Sequence, residues 1–307
     1  MRGGVNGSLR RSSSASGQRV RSGSAHERDC PNRRPVTERL RDRVCLVTGS
    51  TGIAAASARR LGREGASVFI VSRTDEHARS LADEIAAGGT HAAWAAADLT
   101  VETEVDKAVE SAVKRFGRID GLFAVAGGSG RQFGDGPIHA LTTEGWERTL
   151  AINLRSQALT CRAIVRQMLA QEPNSSGTRG SILLTGSVTA TDPVPEFFAT
   201  HAYAAAKGAT IALMTTMAAT YAAGRIRVNA VAPGLTDTPM AARAAADDRL
   251  RAFALRKQPL AGEIMDPDEI AHAAVYFLSD ESRVVTGQLL KIDGGWSVTA
   301  AAGEPTT

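Results

Sequence analysis

The chain predicts an α/β protein on a doubly wound, seven-stranded parallel sheet with helices on both faces. Three observations predict it. From residue 44 almost to the C-terminus, short β-rich runs alternate with helical patterns. Most of those runs are unbroken apolar stretches, as in strands covered on both faces. The first of them, "VCLV", passes through "TGSTGIA" into an Ala-rich stretch, a strand–turn–helix junction of the kind that holds phosphates.

The elements follow in order. "VCLVTG" precedes a helix over about 52–64, and "SVFIVS" one over about 75–87. "HAAWAAADL" precedes "VETEVDKAVESAVKRFG", whose Val105, Val109, Ala112, Val113 and Phe116 recur at helical spacing. "GLFAVAG" leads through a Gly-rich loop to one long helix over about 144–171. "GSILLTG" precedes a helix over about 202–223. "IRVNAVAP", a long loop, a helix over about 267–279 and "QLLKID" complete seven strands and six main helices. Right-handed crossovers between parallel strands make this a Rossmann fold. No internal repeat of solenoid length occurs. Composition breaks at residue 36 and again at "TAAAGEPTT", so one domain is expected over 36–298, with a flexible tail at 299–307.

Composition narrows the function classes. The 307 residues are 43% hydrophobic and 22% charged, ordinary for a soluble globular protein. No apolar run approaches the ~18 residues of a membrane span, so no membrane partner and a cytoplasmic location are expected. Cys30, Cys45 and Cys161 are widely spaced, with no CxxC pair or His cluster, against a disulfide framework or a metal site. Residues 1–43 hold 11 Arg against four acids, a net +7; the whole chain is +4, which leaves −3 on the rest. The domain is therefore mildly acidic, and no nucleic-acid partner is expected.

Residues 1–35 are rich in Ser, Gly and Arg and lack hydrophobic periodicity, a composition that does not offset its ordering entropy. This disordered basic extension reads as a transit peptide, as a basic arm for a polyanion, or as a segment outside the natural protein. The third reading is favoured. Val36 stands where a starting methionine is expected, and a GUG initiation codon reads as Val inside a longer frame.

Three sites lie where ligands bind in such sheets, at the carboxyl ends of the strands. Tyr203 and Lys207 in "YAAAK" stand at i and i+4 and share a helix face. A nearby ammonium favours the phenolate and brings the phenol towards working pH. Such a pair can donate a proton to a carbonyl oxygen or take one from an alcohol. On its own the spacing is common on exposed helices. Ser187 ends "SILLTGS"; it either hydrogen-bonds a substrate oxygen or serves as a turn or cap serine. Asn153 in "AINLRS" is unusual within a helix, because its amide competes with the backbone. It reads as a solvated polar residue, a kink, or a water-holding position.

With these residues in order, the chain resembles the short-chain dehydrogenase/reductase family over about residues 40–297. The ordered set "TGSTGIA", "AAADL", "VAG", "AINL", "TGSVTA", "YAAAK", "RVNAVAPGLTDTPM" and "VTGQLLKIDGG" carries the resemblance. It implies Tyr203 as general acid/base. It also implies Lys207 lowering the Tyr203 pKa and binding the nicotinamide ribose, Ser187 positioning the substrate carbonyl, and Asn153 holding a water in a proton relay. Asp98 and Leu99 are implied against the adenine, and Pro233, Gly234, Thr236 and Thr238 at the nicotinamide end. The turn residues Gly49, Ser50, Thr51, Gly52 and Ile53, with Ala126 and Gly127 of "VAG", complete the implied cofactor contacts.

The chain departs from the family pattern in four places. The glycine turn is one residue short, and its last Gly is Ala54. The family's N-N-A-G reads "AVAG", so Ala124 and Val125 replace two asparagines. Ser187 and Tyr203 are 16 residues apart, more than usual. The third glycine serves close helix–strand packing, where Ala is accepted. The turn is thus expected still to hold a nucleotide, with Ser50 and Thr51 either donating hydroxyls to phosphates or capping the helix.

The leading function is an NAD(P)-dependent oxidoreductase interconverting a ketone and a secondary alcohol, with a general resemblance to ketoreductases. The alternative is a non-catalytic nucleotide-binding or regulatory protein on the same fold. An acid at the end of the second strand selects NAD; here Ser72 stands in its place and Arg73 follows. Arg suits a 2′-phosphate, so NADP is the preferred cofactor and NAD the alternative. Phe197 and Phe198 form either an apolar wall of the site or ordinary packing. Met240, Met265 and the Ala-rich stretch between them suggest a mobile lid. Arg131 either meets an anionic group or is solvated. "TIALMTTMAATYAA" is small and apolar around more of its circumference than one buried stripe requires. A homodimer or homotetramer joined through the two longest helices is therefore expected.

Overall fold

The computed structural model describes residues 38–300. The expected N-terminal extension, the Val36 start and the tail from residue 301 lie outside the described residues. The alternation read from the sequence is present. β1 (Val44–Thr48), α1 (Gly52–Arg63), β2 (Ser67–Ser72), α2 (Asp75–Ala87), β3 (Ala92–Ala96), α3 (Glu102–Phe116) and β4 (Gly121–Ala124) form the first half. The second half begins with α4 (Thr143–Leu150), α5 (Ser156–Ala170), β5 (Gly180–Thr185), a short α6 (Pro195–Phe198) and α7 (His201–Tyr221). It ends with β6 (Ile226–Pro233), α8 (Ala242–Ala245), α9 (Asp248–Lys257), α10 (Pro267–Leu278) and β7 (Leu289–Ile292).

All seven strands lie in one parallel sheet ordered β3-β2-β1-β4-β5-β6-β7. Successive residues of a strand face opposite sides. Leu46 joins Phe69, Leu122 and Ile182 under α3, α5 and α7. Cys45 and Val47 join Val68, Ile70 and Phe123 under α1, α2 and α10. Both faces are closed, so the strands read as continuous apolar runs. Each fully buried large apolar side chain stabilises the fold by about 1.5–3 kcal/mol. The chain order reverses between β1 and β4, which opens a crevice at their carboxyl ends.

The single helix expected over 144–171 is in fact two α-helices joined by one π-type turn, Ala151–Arg155. The cause is Asn153. Its Nδ2 donates to the Thr149 carbonyl at 3.0 Å, the i−4 acceptor that its own backbone N–H would use. The long loop after β6 also differs from expectation. It contains two short helices, α8 and α9, and Asp247 caps α9 by accepting from Arg249 N and Leu250 N. Met240 is 54% exposed beside the cavity, as a lid residue should be, but Met265 is only 3% exposed and bridges Thr236. Met265 therefore anchors the base of this segment.

Candidate active site

The shortened glycine turn keeps the conformation that a phosphate-binding loop needs. Gly49 has φ +97° and Gly52 φ +51°, both in the left-handed region. A Cβ on Gly49 would lie 3.0 Å from Ala54 Cβ. Thr51 precedes α1 without a side-chain cap, and no acid stands in the first turn. The capping alternative for Thr51 is thus not realised, and the first N–H groups of α1 face an anion-compatible space. Ser50 is occupied differently: its Oγ donates to Ser72 Oγ at 2.9 Å, tying the turn to the end of β2.

The missing asparagines after β4 are compensated by a hydroxyl. Thr48 Oγ1 accepts from Val125 N at 2.9 Å and Ala126 N at 3.0 Å. Ala124 is fully buried in the core. The loop is then clamped by Asn153, itself fully buried, so its solvated reading is excluded. Its Oδ1 accepts from Gly128 N at 3.1 Å, and its Nδ2 donates to Gly128 O at 2.9 Å. With the Thr149 bond, the amide is spent on backbone, which supports the kink reading.

A cavity of about 350 Å³ opens over this loop. It gathers Asn153, Ser187, Tyr203 and Lys207 with Gly49, Thr51, Ile53, Ala126, Gly127, Pro233, Gly234, Thr236 and Thr238. Six predicted cofactor residues lie off it: Gly52, and Ser50, Ser72, Arg73, Asp98 and Leu99 at or near the ends of β1, β2 and β3. Leu99 is packed into the core. Asp98 is held below the ordinary carboxylate range by the Thr100 N–H and hydroxyl, with Arg73 nearby. Gly52 instead borders a shallow hollow with Asp237 and Thr238.

Ser187 realises the cap reading and also faces the catalytic phenol. Its Oγ accepts from Thr189 N at 3.2 Å, capping the turn over Val188–Ala190, and it hydrogen-bonds the Tyr203 phenol. Lys207 is buried and donates to Thr185 O at 2.9 Å, with Nζ 5.5 Å from the centre of the Tyr203 ring. The expected lowering of the phenol pKa by Lys207 is not seen. Burial pushes Tyr203 up to about 12, against the opposing bond from Ser187, and pushes Lys207 down to about 8. Desolvation wins here because the ammonium is turned to a backbone carbonyl rather than to the phenol oxygen.

Asp135 was not singled out by the sequence reading. Its buried carboxylate accepts from Ala202 N and Tyr203 N, both at 3.0 Å, and so fixes the N-terminus of α7. An Asp between glycines in a loop is a weak signal, and its target is about 67 residues away. Phe198 and Trp296 line the cavity, whereas Phe197 stacks on Phe253 at 5.0 Å; the wall and packing readings each hold for one phenylalanine.

Three features of the site are of the kind that would fit a nicotinamide dinucleotide. Thr185 Oγ1 is buried at the cavity without a partner, the first turn of α1 is uncapped, and Lys207 Nζ uses one of its three donors on Thr185. Ser187, Tyr203 and Lys207 thus meet at one cavity of a doubly wound sheet.

Comparison with known proteins agrees. Residues 47–297 match the family model described as Enoyl-(Acyl carrier protein) reductase. The chain is 36% identical over 264 residues to cis-4-hydroxycyclohexanecarboxylate dehydrogenase of Sinomonas cyclohexanicum, covering 85% of this chain and 98% of that one. It is 35% identical over 262 residues to the A-factor type gamma-butyrolactone 1'-reductase (1S-forming) of Streptomyces virginiae, covering 84% and 97%. The structure of a variant actinorhodin polyketide ketoreductase with NADPH superposes with a TM-score of 0.73 at 29% identity, covering 83% of this chain and 97% of that chain. The chain belongs to the short-chain dehydrogenase/reductase family, whose members are NAD(P)-binding oxidoreductases. Among the described residues no helix is long and apolar enough to cross a membrane.

Proposed function

We propose that this protein is an NADP(H)-dependent oxidoreductase that interconverts a ketone and a secondary alcohol, with Tyr203 moving the proton. The observation that carries this reading is the convergence of Ser187, Tyr203 and Lys207 on one cavity that also contains the glycine turn. Bound there, the cofactor supplies a hydride to the substrate carbon. Ser187 orients the substrate oxygen, and Tyr203 delivers the proton to it. The phenol is protonated across the neutral range, the form that carbonyl reduction uses. Lys207, held by the Thr185 carbonyl, keeps two donors for the cofactor ribose. Gly49, Thr51 and Ile53 suit the pyrophosphate, Asp98 and Leu99 the adenine, and Ala126, Gly127, Pro233, Gly234, Thr236 and Thr238 the nicotinamide end. The relatives' names, a hydroxycyclohexanecarboxylate dehydrogenase and a butyrolactone reductase, support small organic alcohols and ketones as substrates.

The test is nicotinamide absorbance with purified protein and a panel of ketones and alcohols. Turnover is expected. Tight cofactor binding with no turnover across the panel would instead favour the non-catalytic reading.

Cofactor preference rests on Arg73, exposed beyond the end of β2 where Ser72 replaces an acid. Arg73→Ala is expected to weaken NADPH by roughly tenfold or more, one charge-assisted contact, while NADH changes little. Steady-state kinetics with both cofactors decide it; equal weakening of the two removes this role.

A homo-oligomer is proposed through α7, whose exposed positions include Ala212, Thr215, Thr216, Ala219 and Thr220. Small side chains there permit close helix approach. Light scattering at micromolar concentration is expected to give a dimer or tetramer, and a monomer contradicts it.

A further inference from the structure

Two arginines stand at the cavity beside the catalytic groups. Arg131 follows β4 and Arg243 lies on α8, so two separate segments bring them together. Both donate to one acceptor, the Phe197 carbonyl, at 2.9 Å and 3.5 Å. Among the described residues neither has a carboxylate within 4.0 Å. Arginines nearby behave otherwise: Arg249 pairs with Glu196 at 3.0 Å and Arg251 with Asp248 at 2.8 Å. Asp135, the acid that acts on Arg131, is committed to the backbone N–H groups of Ala202 and Tyr203. Burial and the Arg243 cation each lower the Arg131 pKa, with Asp135 opposing. Two like charges are thus held at one opening with no protein anion between them.

The same end of the cavity has an apolar wall of Phe198, Trp296 and Met240. A ligand satisfying both features has a carbon body against the wall and an anion at the rim. Guanidinium forks match the planar, two-oxygen geometry of a carboxylate. Building on the oxidoreductase reading above, we propose that the substrate is a keto acid or its hydroxy acid. Its carboxylate is held by Arg131 and Arg243, and its reacting carbon is presented to Tyr203. The redox balance is that of the proposed reaction: NADPH supplies the hydride, Tyr203 the proton, and the carboxylate is unchanged.

The test uses the full chain with NADPH and three keto acids, 4-oxocyclohexanecarboxylate, 4-oxopentanoate and 4-acetylbenzoate, each beside its methyl ester. The expected result is a kcat/KM higher for each active acid than for its ester by roughly tenfold or more. In the Arg131→Met/Arg243→Met double variant that ratio is expected to fall towards one. Esters matching acids in the wild type, or a double variant that keeps the acid preference, overturns the proposal. A second readout is independent of turnover. With NADP+ present, each acid is expected to raise the wild-type melting temperature, and not that of the double variant. If no panel member turns over and no acid raises the melting temperature, the proposal also fails. A rise that needs both arginines, without turnover of any ketone, upholds the anion site and removes the oxidoreductase reading. Equal turnover of acids and esters does the reverse.

Discussion

Tyr203→Phe is expected to lower ketone turnover by about 10²- to 10⁴-fold, the usual contribution of a positioned general acid. The change removes one oxygen and leaves the ring. That ring is half-buried on α7, whose first turn is fixed by Asp135 through backbone groups that the substitution does not touch. Of the phenol's contacts, only the bond to Ser187 is lost. Folding and cofactor affinity should therefore survive, with NADPH binding within a few-fold of wild type. The loss should fall on kcat rather than KM, because the proton moves in the transition state. Stopped-flow absorbance at saturating cofactor, with a fluorescence titration of NADPH, makes the measurement. Turnover equal to wild type ends the proposed role of Tyr203.

Asn153→Ala is expected to cost about 2–4 kcal/mol of stability and to slow turnover as well. The substitution deletes three hydrogen bonds at a fully buried position. It leaves the Gly128 N–H and the Gly128 and Thr149 carbonyls without that partner, and stranding buried polar groups is what makes the loss large. For a domain of this size the drop corresponds to roughly 4–16 °C in melting temperature. Relieving the π-type turn also frees the loop at Gly127 and Gly128, which lines the cavity. Thermal melts by circular dichroism, read beside kcat, are the check. A melting temperature within 1 °C of wild type shows that the clamp contributes nothing.

The fold was legible because its signals are local. A strand covered on both faces is an apolar run wherever it occurs, and Val105, Val109 and Ala112 recur at the helical period. Tyr203 and Lys207 were readable for the same reason, since i and i+4 share a face in any helix. That the strands are parallel follows from the alternation itself, through right-handed crossovers. Two of the local readings that failed did so through contacts with other elements. The helix expected over 144–171 breaks at Asn153, which competes for the Thr149 carbonyl and reaches Gly128. Met265, read as part of a lid, is held at the loop base by Thr236.

The sequence by itself determined the sheet, its carboxyl-end crevice and the residue types that can do the chemistry. Only the tertiary structure decided how those residues are held and tuned. Thr48 replaces the lost asparagines by reaching across to Val125 and Ala126. Asp135 anchors α7, Ser50 bonds Ser72 instead of standing free, and Arg131 meets Arg243 at the cavity. The protonation of Tyr203 belongs to the same class. Spacing brought Lys207 near, but packing half-buries the ring and turns the ammonium to Thr185, so desolvation outweighs the charge. Periodicity records what neighbouring residues do, whereas partners tens of residues apart, and the burial that shifts a pKa, exist only once the chain has closed on itself.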